Sequence, residues 1–236
     1  YLHYNSGQHI STNGREFAAL LERLVQAWPV PVSELVIIGH SMGGLVSRSA
    51  GYYAKQADHQ WLRHLKKLIC LGTPHHGAPL ERAGNWANMI AGISPYTAPL
   101  TRLGKIRSAG VKDLRYGNVL DEDWERHGNE HLHDRRQQAP LPEGAQCFVI
   151  AATQHPPFDA PGWRLPGDGL VPVQSALGQH ENAALTLPIP AARQAICYGL
   201  NHFDLLSSRE VYTRIRRWVA QGERPNQEGQ AMGKAG

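Results

Sequence analysis

The sequence has few cysteines and no long apolar run, and each shortage excludes a class of protein. Its 236 residues include only three cysteines, whose odd number and wide spacing argue against a disulfide framework or a metal site. No run of about 18 apolar residues occurs, so we predict no membrane-spanning helix. The opening YLHYNSGQHI lacks the basic and apolar regions of a signal peptide. We therefore expect a cytoplasmic protein, although a chain that opens on Tyr1 leaves open an upstream targeting segment.

The basic residues are not concentrated in any part of the chain. The net charge is +4, from 24 Lys and Arg against 20 Asp and Glu, but the basic residues are scattered without interleaved aromatics. We therefore expect no nucleic-acid partner. With 42% hydrophobic and 19% charged residues, the chain has the composition of a globular protein. We predict one domain over residues 1–220 and a disordered polar, glycine-rich tail over 221–236.

The stretch from Leu35 to Gly44, LVIIGHSMGG, is the strongest functional signal in the chain. An apolar run of strand length leads into a turn, and small residues with helical periodicity follow it. A strand, a sharp turn and a helix in this order hold a serine hydroxyl out of the structure beside the first amides of the helix. The turn brings flanking chain close, so we expect Gly39 and Gly43 to be required as residues without bulk. Ser41 is therefore a candidate nucleophile.

The rest of the pattern predicts an α/β fold. A first helix is expected after a cap at Asn13, with Glu16 reaching back to complete the capping box. Its apolar stripe comprises Phe17, Leu20, Leu21, Leu24 and Trp28. Buried strands are predicted at 35–38, 67–72, 147–153 and 194–198, with a cysteine in each of the last three. Helices are predicted from 43 to about 57 and around 211–219. This alternation predicts a mostly parallel sheet with helices on both faces.

Residues 77–144 lose the alternation of strand and helix, and we interpret them as a cap inserted over Ser41. One helical face is predicted from apolar residues at i, i+3, i+4 and i+7, namely Trp86, Met89, Ile90 and Ile93. This face either packs the cap onto the body or makes transient contact with a lipid or membrane surface, and both readings stay open. Residues 121–136 are highly charged around a lone Trp124, and the run from Asp121 to Glu125 indicates a solvated face rather than a metal site.

A serine nucleophile needs a base within hydrogen-bonding reach and a carboxylate that fixes the tautomer of that base. His202 follows the last strand, and Asp168 lies between two glycines after the preceding strand. Parallel strands deliver both loops to the sheet edge that carries Ser41. We favour Asp168 over Asp159 as the acid, because the flanking glycines permit a tight turn.

Two other histidines stay open as the base. His75 and His76 follow the strand at 67–72 and reach the same sheet edge, but they come too early in the chain order of nucleophile, acid and base. His40 adjoins the nucleophile and is expected to point away from it. His202 is therefore the favoured base.

Four motifs, GHSMGG, LGTPHHGAP, GDGLVPVQSALG and NHFDLL, together resemble the α/β-hydrolase superfamily across residues 35–206. Within it the chain is similar to bacterial triacylglycerol lipases and to GPI inositol-deacylase-like esterases. The resemblance implies the α/β-hydrolase fold, with Ser41 as nucleophile, Asp168 as acid, His202 as base and the Met42 amide as an oxyanion donor. It also implies hydrolysis of a lipid-like carboxylic ester without an organic cofactor. Asp204 stands where some such lipases have an aspartate that helps to hold a structural calcium, but no partner ligands can be identified, so we predict no metal site.

The chain also departs from that pattern. Members of this fold normally have strands before the nucleophile strand, and a loop after one of them supplies a second oxyanion amide. Only 34 residues precede Leu35, so we expect a fold shortened at its N-terminus. The expected function is a serine ester hydrolase acting on a small-molecule ester or lipid through an acyl-enzyme on Ser41. The alternatives are a thioesterase or acyltransferase, which share the acyl-enzyme step, and a non-catalytic interaction protein on the same fold.

Overall fold

A computed structural model of the protein describes residues 1–78, 109–125, 139–157 and 166–221. The helices are α1 (Ile10–Ala27), α2 (Met42–Gln56), α3 (Ala109–Tyr116), α4 (Asp121–Glu125), α5 (Val173–Ala176) and α6 (Arg209–Ala220). The strands are β1 (Leu35–His40), β2 (Leu65–Leu71), β3 (Gln146–Thr153) and β4 (Gln194–Tyr198). The predicted apolar face from Trp86 to Ile93, the alternative acid Asp159 and residues 222–236 of the predicted tail lie outside the described residues. Within the described ranges, no helix is long and apolar enough to cross a membrane.

The four strands form a parallel sheet in the order β1-β2-β3-β4. Because all four run in one direction, their carboxyl ends lie along the same edge. Ser41 follows β1 directly, Gly72 follows β2 and Gln154 follows β3, while His202 lies in the loop after β4. The sheet therefore brings the ends of four separated segments to one edge, as the sequence pattern predicts.

Both faces of the sheet are buried along its central strands, β2 and β3. On one face, Leu68, Cys70, Val149 and Ala151 pack with residues of α1 and α2. On the other face, Ile69, Leu71, Phe148 and Ile150 pack with α6. Burial on both sides explains why these strands are continuous apolar runs rather than alternating ones. The predicted α/β fold, with a parallel sheet and helices on both faces, is confirmed.

Helix α1 begins one turn earlier than its sequence pattern predicts. Asn13 lies inside the helix, where its Nδ2 donates to the carbonyl of Asn5 at 2.9 Å. The first turn is capped instead by Asp113, whose Oδ2 accepts from the amide of Ile10 at 2.9 Å and lies 3.0 Å from Nδ1 of His9. Because Asp113 belongs to α3, no local pattern around Asn13 contains this cap.

The predicted apolar stripe of α1 is wrong for three of its residues. Leu20, Leu24 and Trp28 are 39%, 42% and 51% exposed, whereas Ala18 and Leu21 are buried. Gly14 sets the rotation of α1 about its own axis, because a Cβ at Gly14 would lie 2.2 Å from Oγ of Ser49 in α2. Small residues thus face α2, and three large ones turn outward.

The described part of the predicted cap packs on α1 and α2. Leu114 and Val119 share an apolar cluster with Leu45 of α2. Oγ of Ser49 also donates to the carbonyl of Val119 at 2.7 Å. Asp123, inside the run predicted to be solvated, is 1% exposed and accepts from the amide of Val119 at 2.9 Å. The solvated-face interpretation is therefore wrong at Asp123, and the covering of Ser41 by residues 77–144 stays a prediction.

Candidate active site

Ser41 occupies a strained turn between β1 and α2. Its φ and ψ are 52° and −124°, in a region that residues with a Cβ rarely adopt. The amide of Ser41 donates to the carbonyl of Leu71 at 2.9 Å, which ties the turn to the end of β2. Ser41 is 8% exposed, and its Oγ has no hydrogen-bond partner among the described residues. The turn thus holds an unpaired hydroxyl at the carboxyl edge of the sheet.

Gly39 and Gly44 are needed near Ser41 for steric reasons, whereas the sequence predicts this requirement for Gly39 and Gly43. A Cβ on Gly39 would lie 2.7 Å from the main chain of Gly44, as the prediction for Gly39 requires. A Cβ on Gly44 would lie 2.1 Å from Oγ1 of the buried Thr73. For Gly43, by contrast, the nearest atom is the hydroxyl of Tyr4 at 4.0 Å. The steric prediction is therefore wrong for Gly43, and Gly44 takes its place.

Asp168 is held in a tight loop by its own neighbours. Its Oδ1 accepts from the amides of Leu170 and Val171 at 2.9 and 2.8 Å. A Cβ on Gly167 would lie 1.7 Å from the carbonyl oxygen of Val171, and Gly169 has a φ of +100°. Asp168 is only 1% exposed, and both of these amides donate to the same carboxylate oxygen. The loop therefore presents a buried, oriented carboxylate.

His202 meets that carboxylate directly. Its Nδ1 lies 2.7 Å from Oδ2 of Asp168, and its amide donates to the carbonyl of Asp168 at 3.1 Å. Because an ionised carboxylate can only accept, Nδ1 carries the proton, and a neutral ring then has its lone pair on Nε2. Gly72 leaves room for the ring, since a Cβ there would lie 3.1 Å from Nδ1 of His202. The arrangement suits an imidazole that takes up a proton at Nε2.

His40, the last residue of β1, contacts His202. Its Nε2 lies 3.0 Å from the carbonyl oxygen of His202, and the ring centroids are 4.6 Å apart. Burial, together with the neighbouring His202, lowers the pKa of His40 from 6.5 to about 4. His40 is therefore neutral at pH 7. The sequence signal for a place of His40 in the site is its position directly before Ser41.

Ser41 and His202 are brought to the same edge, but no hydrogen bond joins them. His202 packs on His40, the residue before Ser41, while the serine Oγ makes no hydrogen bond to a described residue. The geometry thus pairs Asp168 with His202 directly and brings Ser41 near them through His40.

His75, the alternative base, has an environment that opposes protonation. It is 2% exposed, and its Nδ1 lies 3.3 Å from Nη1 of Arg48. Burial and the Arg48 guanidinium lower the pKa of His75 well below 6.5. The ring of His76 lies 4.9 Å from that of His180. A general base must gain a proton, so His202 fits that role better than His75.

Asp204 orders the loop that carries His202. Its Oδ2 accepts from the amide of Asn201 at 2.8 Å, while Oδ1 of Asn201 accepts from the amide of Phe203 at 2.9 Å. These bonds tie both ends of the short turn that contains His202. Across residues 1–78, 109–125, 139–157 and 166–221, no group of three or more His, Cys, Asp or Glu is arranged to hold a metal ion.

A parallel sheet with a strained serine after one strand and an acid-histidine pair at the same edge defines the α/β-hydrolase class. The family model of the PGAP1-like alpha/beta domain matches residues 18–139, just over half of the 236-residue chain. The chain belongs to this family, which confirms the resemblance to the α/β-hydrolase superfamily. No curated protein matches the chain.

Solved structures share the fold at low sequence identity. One similar structure is the lipase BlEst2 of Bacillus licheniformis in its mature form, at 18% identity and a TM-score of 0.54. That match covers 90% of this chain and 75% of the lipase chain. The propeptide form of the same lipase matches at 19% identity and a TM-score of 0.50, over 95% of this chain and 43% of that one. These matches support the α/β-hydrolase fold.

Proposed function

We propose that this protein is a serine ester hydrolase that acts through an acyl-enzyme on Ser41. The observation that carries the proposal is the buried pair of Asp168 and His202, joined at 2.7 Å at the same sheet edge as the strained Ser41. A buried carboxylate that orients an imidazole beside a serine is the arrangement that activates a hydroxyl for attack on an acyl carbon.

In the first step, Oγ of Ser41 attacks the ester carbonyl carbon, and Nε2 of His202 takes the serine proton. Asp168 stabilises the imidazolium that forms, because its Oδ2 accepts from Nδ1 of that ring. The protonated His202 then gives its proton to the departing alkoxide, which leaves as the alcohol. Water, activated by the same ring, attacks the acyl group on Ser41 and releases the acid. Each step therefore uses one proton carrier, His202.

The tetrahedral intermediate has a negatively charged oxygen that needs fixed donors. Met42 is the first residue of α2, and the amides of a first helical turn have no partner within the helix. These amides also lie at the positive end of the helix dipole. We assign the Met42 amide as one oxyanion donor, and a donor of this kind contributes about 10²- to 10³-fold in turnover.

The proposed substrate is a small-molecule carboxylic ester with a lipid-like acyl chain. The lipase named among the similar structures supports this class for the present chain. Thioester cleavage and acyl transfer share the acyl-enzyme step, so they differ only in the leaving group or in the final acceptor. No organic cofactor takes part in this mechanism.

The test is labelling with a fluorophosphonate probe, mapped by mass spectrometry, together with hydrolysis of p-nitrophenyl esters of graded chain length. We expect label on Ser41 and a loss of both labelling and hydrolysis in Ser41→Ala. The matched control is Ser33→Ala, because Ser33 is exposed before β1. Acyl-CoA thioesters, assayed by thiol release, test the thioesterase alternative.

Two results would overturn the proposal. Label on another residue would remove Ser41 from the mechanism. A wild-type protein that is folded but neither labelled nor able to cleave any ester or thioester would favour the non-catalytic interaction protein.

A further inference from the structure

His40 directly precedes the proposed nucleophile in the chain and contacts the proposed base, and the mechanism above gives it no role. We propose that His40 is a positioning residue that holds the main chain of His202 in register with Ser41. The proposal rests on the proposed function, since it names a second determinant of the same site. Its evidence is the 3.0 Å contact between Nε2 of His40 and the carbonyl oxygen of His202.

The direction of this hydrogen bond follows from its chemistry. A carbonyl oxygen can only accept, so Nε2 of His40 carries the proton and donates it. A neutral His40 then has its lone pair on Nδ1. The tautomer is thus opposite to that of His202, whose proton sits on Nδ1.

With this bond, both main-chain groups of His202 are bonded. The amide donates to the carbonyl of Asp168 at 3.1 Å, and the carbonyl accepts from His40 at 3.0 Å. The side chain is held a third time, at 2.7 Å, by the Asp168 carboxylate. Asp168 therefore holds the amide and the ring of His202, and His40, the residue before Ser41, holds its carbonyl group.

Ring packing adds to the same restraint. The His40 ring lies 4.6 Å from the His202 ring, with their planes tilted by 44°. The Phe203 ring meets the His202 ring edge-on at 5.5 Å. His202 lies in a loop outside any strand or helix, whereas His40 ends a strand paired with β2. A strand thus supports the loop that carries His202. Packing and hydrogen bonds from supporting residues usually keep a site in its productive geometry.

A purely space-filling role for His40 makes a different prediction from a positioning role. His40→Phe keeps a ring of similar size and removes the donor, whereas His40→Gln keeps an N–H at the same distance from the main chain. We expect His40→Phe to lower kcat roughly 10- to 100-fold with little change in KM, by analogy with the loss that follows when an outer partner of a metal-ligating histidine is removed. His40→Gln should recover most of that loss.

A double-mutant cycle separates positioning from a general loss of structure. If His40 acts through His202, then His40→Phe should not lower the residual activity of His202→Ala any further. Circular dichroism and melting temperatures show that each variant is folded. The rate of Ser41 labelling by the fluorophosphonate probe should follow kcat across the same set.

The outcomes distinguish this inference from the proposed function. If wild-type protein neither labels at Ser41 nor cleaves esters, the proposed function fails and the inference falls with it. If the wild type is active and His40→Phe matches it, positioning alone is overturned. Positioning is also overturned if His40→Gln is as impaired as His40→Phe, or if His40→Phe lowers the activity of His202→Ala.

Discussion

Oδ2 of Asp168 and Nδ1 of His202 lie 2.7 Å apart, across 34 positions of sequence. The same two residues are joined again through their main chains, where the His202 amide donates to the Asp168 carbonyl. Two bonds between one pair of residues fix both the position and the tautomer of the imidazole. The imidazole is thus held by its side chain and by its main chain.

The first prediction concerns the acid. Asp168→Asn should lower turnover by about 10⁴-fold, because an amide at this site can donate to Nδ1 and so favour the wrong tautomer of His202. The measurement is the steady-state rate on a p-nitrophenyl ester. Asp58→Asn is the matched control, since Asp58 is exposed in a loop after α2. A larger loss in Asp159→Asn than in Asp168→Asn would show that the wrong acid has been assigned.

The second prediction concerns the glycines of the nucleophile turn. Gly44→Ala and Gly39→Ala should each lower the free energy of unfolding by about 1–3 kcal/mol, because the added methyl meets buried atoms at 2.1 and 2.7 Å. Gly43→Ala should be neutral, or stabilising by up to about 1 kcal/mol, because its site is open and helical. Urea unfolding measures all three variants. A Gly43→Ala protein less stable than Gly44→Ala would contradict the turn geometry.

The third prediction is a loss of stability in acid. Burial and His202 lower the pKa of His40 to about 4, while burial and Arg48 lower that of His75 well below 6.5. In the unfolded chain both side chains return to ordinary values, so between pH 6.5 and 4 the unfolded chain binds more protons. The free energy of unfolding should therefore fall as the pH drops through this window. The contribution of His40 is on the order of 3 kcal/mol.

This pH dependence has a direct check. Urea unfolding at pH 7, 5.5 and 4.5 should show a smaller acid loss in His40→Gln than in the wild type, because glutamine does not titrate. His3→Gln is the control, since His3 is exposed. Equal acid losses in His40→Gln and the wild type would show that His40 keeps an ordinary pKa when folded.

The fourth prediction concerns the thiols. Cys70, Cys147 and Cys197 are buried in β2, β3 and β4, and burial raises their pKa values to about 12, 11 and 11. Since the thiolate is the reactive form, native protein at pH 8 should react very slowly with Ellman's reagent. Three thiols should react quickly once the protein is unfolded in guanidinium chloride. Rapid reaction of a native thiol would place that cysteine at the surface.

Much of the fold could be predicted from the sequence because it is encoded by local pattern. The run from Cys147 to Ala152 has no charged or strongly polar residue, since both faces of β3 are buried, and the bounds of β4 match their prediction. The strained turn at Ser41 is likewise local, because a strand, small residues and a helix are adjacent in the chain. The order of Ser41, Asp168 and His202 was also visible, although their catalytic roles stay predictions.

Tertiary structure decided what depends on distant contacts. The start of α1 is set by Asp113 from another helix, and the outward rotation of Leu24 is set by the close approach of Gly14 to Ser49. Sequence left Asp159 open beside Asp168, and only the folded chain shows the 2.7 Å contact of Asp168 with His202. Periodicity reports which face of an element is apolar, but it carries no information on which distant atom meets that face.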